Sequence, residues 1–411
     1  MVRAAVAAGF ALQCAAAAAG ARSGDPLVQR GAYLARVGDC VACHTAPGGK
    51  PFVGGLRMDM PIGAIYSTNI TPDRTHGICA YSFEQFDRAV RHGVAPGGKH
   101  LYPAMPYPSY ARIKPEDMRA LYAYFMQGVA PDSTPNRKAD MVWPLTIHWP
   151  LAIWNRMFVR DTVFTPDPAQ TAQWNRGAYL VEGLGHCGSC HTPRGLFFQE
   201  KALSPRGANG EFYLSGAKVE QWFATNLRGR CLQKWTASDI ADLLQTGRTM
   251  HVAALGSMTE VIAHSTQHLR RDDLEAIGVY VKSLKPAQST QTPAVKPQSA
   301  SARRGEALYA QHCAACHQPD GRGVPQAFPG LAANSTVQCV DPLNTIRVIL
   351  AGGATVATAK LPQPMVMPPF GGSLRDEQIA DIVTYIRTTW GNSGSPVDAA
   401  LVGTVRAAVA R

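Results

Sequence analysis

The pentapeptide Cys-x-x-Cys-His occurs three times, at Cys40-Val41-Ala42-Cys43-His44, Cys187-Gly188-Ser189-Cys190-His191 and Cys313-Ala314-Ala315-Cys316-His317. No other feature of the chain limits its fold so sharply. This spacing is the attachment signature of c-type haem: two thiols add to the vinyl groups and the adjacent imidazole reaches the iron. Three copies, 147 and 126 residues apart, predict three covalently bound haem c groups. Cys40, Cys43, Cys187, Cys190, Cys313 and Cys316 are the expected attachment points, with His44, His191 and His317 as proximal iron ligands.

Two other chemistries use paired cysteines. A structural zinc site closes one tetrahedron with four ligands, usually from two such pairs; widely separated pairs, each followed at once by His, suit it badly. A thioredoxin-like dithiol needs one pair opening a helix and has no use for the trailing His.

The N-terminus reads Met1-Val2-Arg3, then an Ala-rich apolar run to Ala19-Gly20-Ala21. A basic residue, a short apolar stretch and an Ala-x-Ala end predict a secretory signal peptide over residues 1–21. Export agrees with haem attachment outside the cytoplasm and predicts a periplasmic protein. No later uncharged apolar run approaches the ~20 residues of a membrane span, so membrane contact is expected to be peripheral. The formal net charge is +11; roughly six haem propionates would bring the loaded protein to about +5, a mild excess suited to an acidic partner surface or anionic lipid. Nothing in the chain calls for nucleic acid.

The haem motifs sit in an internal repeat. Arg30-Gly31-Ala32-Tyr33-Leu34, Arg176-Gly177-Ala178-Tyr179-Leu180 and Arg304-Gly305-Glu306-Ala307-Leu308-Tyr309 each precede a motif and predict a short helix. Each repeat closes with a second helix of 3.6-residue period, over Pro115 to Gln127, Arg271 to Leu284 and Arg375 to Trp390. All three closing helices begin with acidic residues, suited to the positive end of a helix dipole, and carry a Tyr (Tyr124, Tyr280, Tyr385) on the apolar face. This pattern resembles the class I cytochrome c fold, which implies an all-α chain of three such domains in tandem, at 25–135, 174–285 and 303–393. Residues 286–302, rich in Pro, Ser, Gln and Thr, read as a flexible linker, leaving the third domain free to dock by itself. Residues 394–411 form a tail. The connector 136–173 differs: Met141 to Trp154 holds three of the seven tryptophans and is expected to pack across the first two domains. A membrane-interface or partner contact is the alternative.

A low-spin electron-transfer haem needs a sixth ligand, and Met raises the potential relative to His. Met105, Met258 and Met367 stand 19, 22 and 18 residues before Tyr124, Tyr280 and Tyr385, a similar spacing in three places. They are the expected axial ligands. Met365 competes with Met367; His251, His264 and His268 compete with Met258. The proximal His should donate its other N–H to a carbonyl, and Pro329 is the candidate in the third repeat.

Beyond the motifs, the stretches Thr68-Asn69-Ile70-Thr71-Pro72-Asp73, Leu101-Tyr102-Pro103-Ala104-Met105-Pro106, Trp174-Asn175-Arg176-Gly177-Ala178-Tyr179, His191-Thr192-Pro193-Arg194-Gly195 and Met367-Pro368-Pro369-Phe370 resemble one family over roughly residues 25–393. It is the tri-haem cytochrome c subunits of bacterial membrane-bound alcohol, gluconate, sorbitol, fructose and glucose dehydrogenases. The resemblance implies a catalytic partner that is a flavoprotein or quinoprotein, electron transfer to ubiquinone, and a place on the outer face of the cytoplasmic membrane. It also implies that the cytochrome performs no substrate chemistry. A free-standing periplasmic carrier and a haem enzyme with one open iron position are the alternatives. Cys79 replaces a usual Gly, Gly330 a usual Pro, and the Asn226–Cys231 stretch is shorter than usual. With Cys231 and Cys339, Cys79 leaves an odd cysteine count, so an internal disulfide plus a thiol and a disulfide to the partner both stay open.

Overall fold

Glycine decides how each repeat closes. The computed structural model describes residues 24–60, 63–144, 146–160, 162–229, 232–250, 252–286, 299–325 and 327–410; the expected signal peptide and residues 287–298 of the 286–302 linker lie outside them. The longer helices are α1 (Pro26–Val37), α2 (Phe83–His92), α3 (Pro115–Ala123), α4 (Pro150–Phe158), α5 (Ala172–Tyr179), α6 (Ala237–Thr246), α7 (Ser257–His264), α8 (Arg271–Ser283), α9 (Ala300–His312), α10 (Leu343–Ala351), α11 (Asp376–Thr388) and α12 (Ala399–Val409). Three pairs, α1 with α3, α5 with α8 and α9 with α11, touch backbone to backbone. A Cβ placed on Gly31, Gly177 or Gly305 would lie 1.9, 1.9 or 2.1 Å from the carbonyl oxygen of Ala120, Ala276 or Asp381. The same atom would meet the Cβ of Tyr124, Tyr280 or Tyr385. Only a residue without a side chain permits that approach.

An ion pair pins each crossing. Arg30 Nε donates to Asp117 at 2.7 Å, Arg176 Nε to Asp273 at 2.7 Å, and Arg304 Nε to Asp381 at 2.7 Å. The carboxylate stands one turn before the crossing in the first two pairs and at the crossing residue itself in the third.

The chain is largely helical, but the all-α expectation is met only in part. Among the described residues, four antiparallel two-stranded ribbons accompany the helices: β1 (Arg57–Met60) with β2 (Gly63–Tyr66), β3 (Val94–Ala95) with β4 (Lys99–His100), β5 (Ala217–Val219) with β6 (Trp222–Ala224), and β7 (Gly353–Ala354) with β8 (Val366–Met367). The helix ends follow local rules. Asp25 accepts from Leu27 N ahead of Pro26, Ser82 and Gln85 form a reciprocal capping box, and Gly93 ends α2 with φ 62°. Glu116–Asp117, Asp272–Asp273 and Asp376–Glu377 occupy the first turns of α3, α8 and α11.

The residues fall into two compact units. The first runs to Gln170 and takes in Tyr179–His186. There the Tyr179 hydroxyl donates to Asp117 at 2.6 Å, Arg112 pairs with the buried Glu182 at 3.0 Å, and His186 Nε2 lies 3.3 Å from the Gly38 carbonyl. The second comprises Thr171–Ala178 and the chain from Cys187 onward, so it contains both the second and third repeats. They are not loosely tethered. Asn344 accepts from Phe223 N at 2.8 Å and donates to Phe223 O at 2.8 Å, and Gly330 N donates to Met250 O at 3.0 Å. The low-complexity linker suggested independence, but paired polar groups distant in sequence hold the domains it joins.

The connector is also corrected. Trp154 packs on Tyr107, while Trp143 and Trp149 stay exposed rather than being buried across domains. The tail carries α12, whose Val402 and Val405 are buried in the core of the third repeat with Ile346, Leu350 and Ile382. Among the described residues no helix is long and apolar enough to cross a membrane.

Candidate haem sites

Each motif folds as one helical turn that delivers its His to the same place. The amide of His44 donates to Cys40 O at 3.0 Å, that of His191 to Cys187 O at 3.0 Å, and that of His317 to Cys313 O at 2.9 Å. This bond curls the pentapeptide so that both thiols and the imidazole belong to one turn. None of the six motif cysteines is in a disulfide. Cys79 and Cys339 are each disulfide-bonded, and Cys231 lies outside the described residues.

The imidazoles are oriented identically. His44 Nδ1 lies 2.7 Å from Thr68 O, His191 Nδ1 lies 2.7 Å from Thr225 O, and His317 Nδ1 lies 3.0 Å from Pro329 O. A backbone carbonyl can only accept, so Nδ1 carries the proton and Nε2 presents its lone pair, the tautomer a metal ligand requires. Burial lowers the affinity of all three rings for a second proton, against the opposing pull of the carbonyl, and favours the neutral ligand form. Burial also raises the thiols, Cys40 and Cys187 to about 12 and Cys313 to about 11. Among the described residues no three of His, Cys, Asp and Glu converge on a metal position; the thiol pairs do not assemble one tetrahedral site.

Pro329 is the acceptor expected for the third His. Thr68 and Thr225 were not singled out, although a signal exists: each opens a Thr-Asn dipeptide followed by Ile70 or Leu227. The acceptor follows its His by 24, 34 and 12 residues, so counting along one repeat does not find it in another.

The three methionines lie on differently built supports. Met105 precedes the helical turn Tyr107–Tyr110, its carbonyl accepting from Tyr107 N at 2.8 Å, and Tyr110 reaches Gly38 O, two residues before Cys40, at 3.0 Å. Met258 opens α7 behind Gly256, whose Cα faces the Trp222 indole in the strand leading to Thr225. Met367 lies on β8 and packs against the same buried cluster that Cys313 and Ala314 border. Of the competing histidines, His264 Nε2 is 3.5 Å from Glu260 and His268 Nε2 is 3.1 Å from Ala263 O; His251 lies outside the described residues. His186 is structural, meeting Tyr110 edge-on with centroids 5.7 Å apart.

The second site holds a half-buried carboxylic acid that sequence reasoning missed. Glu200 Oε1 accepts from Ser189 Oγ at 3.2 Å, inside the motif, while Oε2 is buried with no partner. Burial raises this group to about 7, with Arg194 pulling the other way.

A cysteine pair outside any disulfide and an imidazole held at Nδ1 by a backbone carbonyl, repeated on one scaffold of crossed helices, define a c-type cytochrome. Residues 302–390 match the cytochrome c family model. The chain is 48% identical over 390 residues to the gluconate 2-dehydrogenase cytochrome c subunit of Pantoea cypripedii, covering 92% of this chain and 88% of that one. It is 47% identical over 400 residues to the cytochrome c subunit of the quinone alcohol dehydrogenase of Gluconacetobacter polyoxogenes, covering 94% and 85%. With the fructose dehydrogenase cytochrome subunit of Gluconobacter japonicus it shares 40% over 416 residues, covering 93% and 83%. The chain belongs to the family of dehydrogenase cytochrome c subunits.

Proposed function

We propose that this chain is the electron-transfer subunit of a periplasmic dehydrogenase complex, with three haem c groups and no substrate chemistry of its own. Its partner would be a flavoprotein or quinoprotein subunit oxidising an alcohol, sugar or sugar acid, and its acceptor membrane ubiquinone. When bound, haem c supplies a one-electron iron couple. The protein's part is to hold each group by two thiols, to aim Nε2 of His44, His191 and His317 through the carbonyls behind them, and to offer the thioethers of Met105, Met258 and Met367. Two axial protein ligands leave no place for a substrate, which separates a carrier from a haem enzyme.

The observation that carries the number three is the imidazole–carbonyl contact, made once per motif with unrelated loop lengths. The three crossed helix pairs support the reading of three class I cytochrome c-like domains in tandem. The test is a haem count per chain by pyridine haemochrome, on the wild type and on Cys40→Ala/Cys43→Ala, Cys187→Ala/Cys190→Ala and Cys313→Ala/Cys316→Ala. Three haems, falling to two in every variant, are expected. A wild type with one haem, or a variant that keeps its full count, sinks the proposal. Co-purification of a dehydrogenase that reduces the haems on adding its substrate tests the subunit assignment.

A further inference from the structure

The connector that was expected to be buried instead presents an apolar face to solvent, and its helix is held in that attitude. One side of α4 is pinned. Asn155 accepts from the Tyr107 hydroxyl at 2.8 Å, donates to His92 O at 2.8 Å and lies 3.0 Å from His100 Nδ1. Beside it, Trp154 meets Tyr107 edge-on with ring centroids 5.9 Å apart. The opposite side carries Trp149, Ile153 and Met157, four residues apart and 66%, 55% and 56% exposed. Just upstream Val142 and Trp143 are 72% and 79% exposed. Rolling α4 to hide this stripe would break the three polar contacts of Asn155. Burying Asn155 is expensive unless it is hydrogen-bonded, so the fold commits a buried amide to keeping the stripe outward.

Cations outnumber carboxylates around the stripe, four to two over residues 137–163. Arg137 and Lys138 precede it, Arg156 and Arg160 lie along it, and all four are exposed. Among the described residues of 137–163 the acidic group is Asp140, which Arg57 engages at 3.2 Å. Tryptophan favours the membrane–water interface, and arginine can lay its stem along apolar surface while its guanidinium reaches phosphate. Nine helical residues span about 14 Å, less than half of a ~30 Å hydrocarbon core, so such a helix lies in the interface and does not cross it. A protein partner is a poorer fit, because interface cores are depleted of charge whereas here the exposed Arg156 stands beside Met157 within the face.

We propose that the face formed by Val142, Trp143, Trp149, Ile153 and Met157 docks this cytochrome onto an anionic lipid surface. The inference rests on the reading of the chain as a subunit that works at the membrane, and names the surface that makes the contact.

The test uses the full haem-loaded chain and sedimentation with vesicles of equal phosphatidylethanolamine and phosphatidylglycerol, against vesicles of phosphatidylcholine alone. The wild type should bind the anionic vesicles, less so as salt is raised. Trp149→Ser/Ile153→Ser/Met157→Ser and, separately, Arg156→Glu/Arg160→Glu should each lower the bound fraction about tenfold, with unchanged haem spectra showing an intact fold. Wild-type chain left in the supernatant, or variants that sediment like it, overturns the proposal. So does loss of dehydrogenase co-purification in the variants with vesicle binding intact, which would make the face a protein interface. If vesicle binding behaves as stated but no dehydrogenase reduces the haems, the subunit reading fails and the lipid contact stands.

Discussion

Gly177 meets the carbonyl oxygen of Ala276 so closely that a Cβ there would lie 1.9 Å from it. That distance is impossible for carbon and oxygen, so Gly177→Ala must push α5 away from α8. Overpacking of this kind costs about 3 kcal/mol. The Arg176–Asp273 pair would loosen with it, since both interactions depend on the same approach. Urea unfolding of the haem-loaded chain should show the loss, with the haem count unchanged if attachment precedes closure. A stability within about 0.5 kcal/mol of wild type, a margin typical of neutral surface changes, would mean that the helices have slack.

These crossings were legible because a sequence records local periodicity and its interruptions. An Arg-Gly pair in the opening helix, acidic residues at the start of the closing helix and a Tyr on its apolar face all survive as crossed helices. The imidazole acceptors were legible only at Pro329, twelve residues from His317. Thr68 and Thr225 return to their histidines across loops whose lengths no period dictates. The docking of the third repeat onto the second escaped notice for a related reason. Asn344 and Phe223 are 121 residues apart, and neither residue type announces a partner. Exposure of Trp149 misled in the opposite direction: an apolar side chain is normally read as core, and only the Asn155 contacts show which side of α4 faces in.

Asn344 should behave as a clamp. Its side chain imitates a strand, accepting from the amide and donating to the carbonyl of Phe223, both at 2.8 Å. Asn344→Ala removes both bonds and should cost about 1–2 kcal/mol, felt where the second and third repeats meet. Hydrogen exchange is the sharper measurement, because the Phe223 amide should lose protection while amides in α1 and α3 keep theirs. Equal protection in both proteins would show that other contacts hold the repeats together.

Met367→Ala tests the axial set where the packing is clearest. The side chain sits against the cluster that Cys313 borders, and truncation to Ala leaves no thioether there. The reduced protein should then bind carbon monoxide at one haem in three, whereas the wild type should be barely perturbed by the gas. Met258→His should instead remove part of the long-wavelength iron–sulfur band and leave the rest. An unchanged spectrum in either variant would assign the ligand elsewhere, to Met365 or to a histidine near α7.

Glu200 makes stability depend on pH in a predictable direction. Burial raises its carboxyl from 4.5 to about 7, with the Ser189 hydroxyl and Arg194 offsetting part of the effect. The folded chain therefore keeps a proton that the unfolded chain releases near its ordinary value. Its contribution is fully present below about pH 4.5 and lost as pH rises through about 7. Glu200→Gln keeps the shape and the bond to Ser189 without the charge, so the variant should escape this loss. At pH 8 it should be more stable than wild type by about 3 kcal/mol, taking about 1.36 kcal/mol for each tenfold change in proton affinity, and the two should converge near pH 4.5. Thermal melts of both haem-loaded proteins across that range decide the matter. Parallel curves would mean that Glu200 ionises as freely in the fold as in the unfolded chain.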